Sequence, residues 1–255
     1  MLNLQGKVAA VFGLANKRSI AWGIAQKLHE AGAKLAISYQ NERMKAEAEG
    51  LILDLPGAEP FQCDVSNDAE IEQVFAKMKE SYGKLDILVH CIAYAPAEDL
   101  KNDFLQTTRD GFRIAHDVSV YSLIALCRAA APLMTEGGSV ITLSYYGAEK
   151  VVPHYKVMGV AKAALEATVR YLAWDMGKHN IRVNAISAGP IRTLAARGIS
   201  SLGEMLKYHA DRAPLHRNTE QDEVGRTAVC LASDLASGVT GETIYVDSGY
   251  NIMGF

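Results

Sequence analysis

Short apolar runs alternate with longer amphipathic stretches along the whole chain of 255 residues. The apolar runs are almost continuous, which is typical of parallel strands covered on both faces rather than of strands with one solvated face. Seven such runs predict strands: KVAAVFG, KLAISY, PFQCDV, LDILVHC, GSVITLS, IRVNAIS and ETIYVD. The stretches between them predict helices at about 20–32, 42–55, 67–82, 110–134, 153–178 and 220–234.

This regular alternation predicts an α/β fold: a Rossmann-like, doubly wound parallel sheet of about seven strands with right-handed crossovers. Neither a low-complexity linker nor a fixed-period repeat interrupts the pattern, so we expect residues 1–255 to form a single domain. The longest piece without a predicted element is RTLAARGISSLGEMLKYHADRAPL. Ligands of such sheets bind beyond the carboxyl ends of the strands, and the residues there are therefore the candidates for function.

Charge and composition narrow the class of protein. The net charge of −3 speaks against a nucleic-acid-binding surface, for which a basic patch is the first sign. We expect no segment with the roughly 20 apolar residues of a membrane span, and the N-terminus lacks the pattern of a secretion signal. The four cysteines form no CxxC pair and the seven histidines form no HxH or HxxxH pair, which argues against a disulfide framework or a metal site. A cytoplasmic protein fits these features best.

The turn after the first strand, GLANKRSIAWG, has the context of a dinucleotide-binding turn, although its spacing departs from G-x-G-x-x-G. Gly13 would allow a sharp turn, and Ser19 would cap the following helix or contact a phosphate oxygen. The N-terminus of that helix would attract a pyrophosphate. An ordinary strand-to-helix turn with Ser19 as the N-cap explains the same pattern equally well.

The ends of the second and third strands bear on the kind of dinucleotide. The second strand ends in YQNER, without the Asp or Glu that usually binds the adenosine ribose 2′-hydroxyl. The amide of Gln40 could take that role, whereas Arg43 could meet a 2′-phosphate, so NAD is the expectation and NADP stays open. Asp64 could accept a hydrogen bond from an adenine amino group, or it could cap the next helix.

Tyr155 and Lys162 stand seven residues apart in the helical stretch 153–178. Seven residues of α-helix come within ~20° of two full turns, so both side chains would share a face and Lys162 would lean towards Tyr155. Pro153 predicts that Tyr155 lies in the first turn, where the ammonium and the helix dipole would favour a phenolate. Such a tyrosine can donate a proton or hydrogen bond to a developing oxyanion. A half-buried aromatic and a snorkelling cation are the alternative.

The ends of two more strands lie near Tyr155 and Lys162. The fifth strand ends in LSYYGAE, so Ser144, Tyr145 and Tyr146 lie at its carboxyl end. The sixth ends in AISAGPIRT, a turn that could line a nicotinamide. Because these strand ends converge on one edge of the sheet, catalysis becomes the favoured interpretation. His154 is the only histidine that we expect near this chemistry, and we place it on the surface.

From GKVAAVFG to TGETIYVDSG the sequence resembles the short-chain dehydrogenase/reductase family over essentially its whole length. GLANKRSIAWGIA, HCIAYAP, LSYYGAE and the Y-x6-K spacing of Tyr155 and Lys162 are similar to its enoyl-acyl-carrier-protein reductases of bacterial fatty-acid synthesis. The resemblance implies hydride transfer from NADH, with NADPH not excluded, to the β-carbon of a trans-2-enoyl thioester. It also implies a homotetramer whose substrate is carried by an acyl carrier protein.

The resemblance further implies roles for single residues. Tyr155 would hydrogen-bond the thioester carbonyl, Lys162 would hold the nicotinamide ribose, and Tyr145 would contribute chemistry or shape the pocket. Ala95 would border the substrate. The cofactor contacts would be Gly13, Ser19, Ile20, Gln40, Asp64, Val65, Ile92, Lys162, Ile191, Arg192, Thr193, Leu194 and Ala195. Ser119 replaces the active-site Asn of most family members, as it does throughout the enoyl-reductase subgroup, so a proton relay through that Asn is not expected.

The segment at about 193–215 would be an apolar lid over the acyl chain, or else an ordinary amphipathic helix pair packed on the sheet. Its basic residues are candidates for docking an acidic carrier protein: Arg192, Arg197, Lys207 and Arg212. Two other functions stay open. A carbonyl-reducing or alcohol-oxidising member of the family is disfavoured by the x6 spacing and by Tyr145, and a non-catalytic dinucleotide-binding regulator would leave Tyr155 and Lys162 unexplained.

Overall fold

Seven parallel strands form one sheet in the computed structural model, which describes residues 3–193 and 202–254. The spatial order is β3-β2-β1-β4-β5-β6-β7, so the direction of winding reverses between β1 and β4. This confirms the predicted doubly wound sheet. The strands are β1 (Val8–Phe12), β2 (Lys34–Tyr39), β3 (Glu59–Gln62), β4 (Ile87–His90), β5 (Gly138–Ser144), β6 (Ile181–Ala188) and β7 (Thr243–Val246).

Nine α-helices lie in the described part of the chain, and they cover both faces of the sheet. The helices are α1 (Ile20–Glu30), α2 (Glu42–Ile52), α3 (Asp68–Tyr82), α4 (Ala97–Lys101), α5 (Arg109–His116), α6 (Ser122–Ala130), α7 (Val157–Gly177), α8 (Leu202–Arg212) and α9 (Gln221–Ala232). Successive residues of β1 show why its sequence is continuously apolar. Val8, Ala10 and Phe12 pack towards α3, α6 and α7, whereas Ala9 and Val11 pack towards α1, α2 and α9.

The helix predicted at 110–134 is interrupted. A π-helical turn at Asp117–Tyr121 separates α5 from α6, and such turns recur at functional sites. The stretch Arg109–Leu133 is also long and apolar enough to cross a membrane by length and composition, contrary to our expectation that no segment is. Half of its apolar window is buried inside the protein, where α6 packs against α3 and α5 packs against α7.

The helix predicted at 153–178 begins at Val157, four residues later than expected. His154 and Lys156 have φ angles of 66° and 43°, a left-handed conformation that cannot continue into an α-helix. Tyr155 therefore lies in a turn just before α7. The prediction that Tyr155 occupies the first helical turn was wrong, because Pro153 starts this turn instead of the helix.

Helices α1 and α9 touch through two glycines. A Cβ atom at Gly225 would lie 2.6 Å from the carbonyl oxygen of Gly23, and one at Gly23 would lie 2.8 Å from Cβ of Gln221. Gln221 also donates a hydrogen bond to the carbonyl oxygen of Ser19 at 2.7 Å. Close contact between these helices thus fixes the start of α1, where the first-strand turn ends.

Gly225→Ala should lower the free energy of unfolding by about 1–3 kcal/mol, since overpacking forces the two helices apart. Gly50 provides the matched control because it lies in α2 with open space around its Cα, so Gly50→Ala should stabilise the protein by roughly 0.5–1 kcal/mol. Urea unfolding of both variants measures the difference. A Gly225→Ala protein as stable as the parent would contradict this close approach.

Candidate active site

The turn between β1 and α1 is built around Gly13 and Ser19. Gly13 has a φ of 105°, and a Cβ atom there would lie 2.2 Å from the carbonyl oxygen of Cys91 at the end of β4, so only glycine fits. Ser19 stands at the N-cap position but does not cap the helix with its side chain. Its hydroxyl instead accepts hydrogen bonds from the amides of Ala15 and Asn16, at 3.1 and 3.0 Å, and so shapes the turn.

The start of α1 fits the expected pyrophosphate. The first amides of any α-helix, here those that follow Ser19, lack intrahelical acceptors. No acidic residue occupies the first turn of α1, so its partial positive charge is not neutralised from within the turn. Ile20, which opens the helix, is half-buried against the core. These features are those of a helix N-terminus that accepts an anion.

Gln40 and Asp64 meet across the ends of β2 and β3. The amide nitrogen of Gln40 donates to Asp64 at 3.3 Å, and the backbone amide and hydroxyl of Ser66 donate to the other carboxylate oxygen. Burial alone would raise the pKa of Asp64, but these hydrogen bonds lower it, so the carboxylate is a charged acceptor. Asn67, not Asp64, caps α3, which removes the alternative role of Asp64. Val65, next to it, is buried.

Tyr145 and Tyr155 pack edge to face, with ring centroids 4.9 Å apart and an interplanar angle of 75°. Tyr145 directly follows β5, and Tyr155 directly precedes the N-cap of α7. Gly147 makes room for this pair, since a Cβ atom there would lie 2.5 Å from the Tyr155 ring. The Tyr145 hydroxyl donates to the sulfur of Met205 in α8 at 3.4 Å. The two predicted tyrosines therefore share one site, with α8 against it.

Lys162 is buried inside α7, and its ammonium donates to the carbonyl oxygen of Leu143 in β5 at 2.6 Å. Burial lowers the pKa of Lys162 to about 8. Shielding from water raises the pKa of Tyr155, and the neighbouring Tyr145 raises it further, while burial raises that of Tyr145 to about 12. Our expectation that Lys162 favours a Tyr155 phenolate was wrong, because burial dominates at the tyrosine. Both tyrosines are neutral hydrogen-bond donors at neutral pH.

The remaining predicted contacts lie at the ends of β4 and β6. Ile92 is half-buried and Ala95 is buried beyond β4. Beyond β6, Ile191 is half-buried, Arg192 is exposed, and the amide of Thr193 donates to the carbonyl of Ile191 at 2.8 Å. Leu194 and Ala195, with Arg197, lie outside the described residues. Of the predicted lid at about 193–215, residues 193 and 202–215 are described, and Leu206 in α8 is buried.

Our sequence reasoning missed the polar residues beneath the site. His90, at the end of β4, is fully buried, so the expectation that His154 is the only histidine near this chemistry was wrong; His154 itself is exposed, as expected. Glu166 lies one turn beyond Lys162 and accepts a hydrogen bond from Ser144. A histidine that closes an apolar strand was the available signal for His90, whereas Glu166 gave none.

A family model described as Enoyl-(Acyl carrier protein) reductase matches residues 13–251. The enoyl-acyl-carrier-protein reductase (NADH) FabI of Bacillus subtilis is 55% identical over 98% of each chain. The corresponding NADPH enzyme of Staphylococcus aureus is 51% identical over 98% of this chain and 99% of that one. The solved structure of the Bacillus cereus enoyl-acyl carrier protein reductase with NADP+ and indole naphthyridinone superposes with a TM-score of 0.98, at 54% identity over 100% of both chains.

The burial of Lys162 should be measurable as a pH dependence of stability. Between about pH 8 and the ordinary lysine pKa of 10.5 the folded protein has released this proton, whereas the unfolded chain still holds it. Stability should therefore rise with pH by about 1.4 kcal/mol per unit relative to Lys162→Met, whose side chain at this position does not ionise. Denaturant unfolding of both proteins between pH 7 and 10 tests this. Parallel curves for the two proteins would show that the folded-state pKa is not lowered.

Proposed function

The chain belongs to the family of enoyl-acyl-carrier-protein reductases, and from that membership we propose which of its residues carry out the reduction. The enzyme is an oxidoreductase of the short-chain dehydrogenase/reductase type that reduces an enoyl thioester borne by acyl carrier protein. The observation that supports the assignment is the contact between Tyr145 and Tyr155 close to the buried Lys162. We also propose a cytoplasmic location, consistent with four free cysteines.

When bound, NADH supplies the hydride that adds to the β-carbon of the enoyl thioester. The turn from Gly13 to Ile20 would hold its pyrophosphate, and Gln40 and Asp64 its adenosine, as their positions at the strand ends suggest.

Tyr155 donates a hydrogen bond to the thioester carbonyl oxygen, where negative charge develops as the β-carbon is reduced. Its raised pKa suits this role because the hydroxyl keeps its proton. The left-handed residues on both sides, His154 and Lys156, orient the ring against Tyr145. The backbone around Tyr155 is thus set before substrate arrives, so little reorganisation accompanies the reaction.

We propose that Lys162 holds the nicotinamide ribose. Its ammonium uses one of three donors on Leu143, which leaves two for ribose hydroxyls. With a pKa of about 8 it is still predominantly protonated at neutral pH. Ile92 and the turn at 191–193 would border the nicotinamide. Beside this site we propose that the segment at about 193–215 is a lid, since Met205 of α8 already contacts Tyr145.

Tyr155→Phe should lower kcat on the order of 10²-fold, since it removes a hydrogen bond to a developing oxyanion. NADH absorbance with a crotonyl thioester as substrate measures the rate. Tyr145→Phe is the matched control, because it removes the other hydroxyl of the pair and should cost less than tenfold if Tyr145 mainly shapes the pocket. An unchanged kcat in Tyr155→Phe would refute its role.

The same assay with the parent enzyme distinguishes the alternatives. Oxidation of NADH with crotonyl thioester but not with acetoacetyl thioester is the expected result. Turnover with the acetoacetyl compound alone would identify a carbonyl reductase, and no turnover with either would favour a dinucleotide-binding protein without catalysis. Repetition with NADPH gives the cofactor preference.

We propose that the enzyme is a homotetramer whose subunits meet through two apolar faces. The outer face of α7 exposes Tyr171 and Trp174, with 77% and 84% of their surface accessible. The outer face of α5 and of the π-helical turn that follows it exposes Phe112 and Tyr121 along a groove of about 630 Å³. Apolar surface of this kind is commonly covered by another protein. It also accounts for the apolar composition of Arg109–Leu133 without a membrane.

Replacement of both Tyr171 and Trp174 by Glu should dissociate the tetramer, because charges then face an apolar partner surface. Sedimentation or light scattering gives the mass in multiples of 27.6 kDa. Leu53→Glu is the control, since Leu53 is equally exposed but lies at the end of α2, and it should keep four subunits. A tetramer that persists in the double variant would exclude this face as an interface.

A further inference from the structure

His90 joins three elements beneath the active site. Its ring lies fully buried at the end of β4, with Nδ1 2.8 Å from the hydroxyl of Thr142 in β5 and Nε2 2.9 Å from the hydroxyl of Ser122 in α6. None of the cofactor and substrate contacts assigned above involves this residue. A buried histidine with both nitrogens engaged is costly unless every partner is satisfied.

The partners determine which ring nitrogen carries the proton. Ser122 has a single hydroxyl proton, and it donates this proton to the carbonyl oxygen of Val118 at 2.6 Å. Towards His90 the Ser122 oxygen can therefore only accept, so Nε2 carries the hydrogen. Nδ1 then accepts from the Thr142 hydroxyl at 2.8 Å, a closer acceptor for that proton than the His90 carbonyl oxygen at 3.4 Å. Burial and then the positive charge of Lys162 lower the pKa of His90 to about 3. The ring is a fixed neutral connector, not a proton donor in the reaction.

The Val118 carbonyl belongs to the π-helical turn at Asp117–Tyr121. A turn of this kind departs from the i to i+4 hydrogen-bond ladder of an α-helix. The Ser122 hydroxyl donates to the Val118 carbonyl within the turn, and the His90 ring holds that hydroxyl in place. The position of the π-helical turn is thereby tied to β4.

Ser119, the next residue of the same turn, contacts the backbone of the segment that follows β4. Its hydroxyl accepts a hydrogen bond from the amide of Tyr94 at 3.0 Å and donates to the carbonyl of Tyr94 at 3.2 Å. Tyr94 directly precedes Ala95, which the family resemblance places beside the substrate. The contacts form a closed loop, from His90 through Ser122, Val118 and Ser119 to the backbone four residues after His90.

We propose that His90 is a positioning residue for the enoyl substrate: through Ser122 it fixes the π-helical turn, and Ser119 in that turn fixes the backbone at Tyr94 and Ala95. The inference rests on the proposed function, because it takes Ala95 to border the thioester. It also explains Ser119, which has the small side chain and the hydroxyl that this two-point contact with Tyr94 requires.

Replacing His90 by Gln or Asn tests its two hydrogen bonds, to Ser122 and to Thr142, separately. In His90→Gln the amide nitrogen stands near the place of Nε2 and can still donate to Ser122. In His90→Asn the shorter amide can accept from Thr142 but does not reach Ser122. The KM for crotonyl thioester should rise about tenfold in His90→Asn, the order expected for one lost hydrogen bond, and His90→Gln should reverse most of that rise. The KM for NADH should change little in either variant.

Ser122→Ala removes the hydroxyl that His90 contacts, and so breaks the same hydrogen bond from its other partner. It tests the inference even if His90→Asn fails to fold. It should raise the KM for crotonyl thioester to a similar extent, and the double variant should show no further rise, because both changes break one contact. An unchanged KM in folded His90→Asn or Ser122→Ala would overturn the inference. So would a fall in kcat alone, which indicates merely a smaller folded fraction, or equal losses in His90→Gln and His90→Asn.

The parent enzyme separates this inference from the function on which it rests. A parent without crotonyl thioester turnover would overturn the proposed function and this inference together. A fully active parent with variants of unchanged KM would overturn the inference alone.

Discussion

Burial of both faces of a parallel sheet is the constraint on which the rest of this structure depends. It requires continuously apolar strands, and it leaves polar side chains only at the strand ends and in the connections. Because all the strands point the same way, their carboxyl ends meet at one edge. Gly13, Gln40, Asp64, Ile92, Tyr145 and Ile191 reach that edge from six strands. Because helices cover both faces of the sheet, the polar residues of the candidate site collect at this edge.

Three polar groups that enter the core beneath this edge are held by hydrogen bonds. Lys162 is held by a β5 carbonyl, Glu166 by Ser144, and His90 by two hydroxyls. A buried polar group without a partner costs free energy, so each of these contacts restricts where its neighbours lie. These contacts fix the floor of the site, whereas α8 contacts Tyr145 through a methionine sulfur, which is a weak acceptor.

Charge in the site follows from burial more than from proximity. Loss of water keeps Tyr155 protonated and weakens the hold of Lys162 on its proton. A helix with Tyr155 and Lys162 on one face suggested an ammonium that stabilises a phenolate. The folded chain instead places the tyrosine in a turn and gives the lysine a backbone carbonyl. Tyr155 is therefore a neutral hydrogen-bond donor, and Lys162 is an ammonium whose pKa is lowered.

The sequence by itself determined the seven strands, and it predicted the sheet edge of the candidate site and selected the two tyrosines and Lys162 as candidates. It could do so because local periodicity and strand ends are properties of neighbouring residues. It could not determine where α7 begins, since the left-handed turn at 154–156 depends on what surrounds it. Nor could it identify the partners of His90 and Lys162, which lie 32 and 19 residues away from them in Ser122 and Leu143. Only tertiary packing brings such residues within hydrogen-bond distance, and the buried polar contacts of the site depend on it.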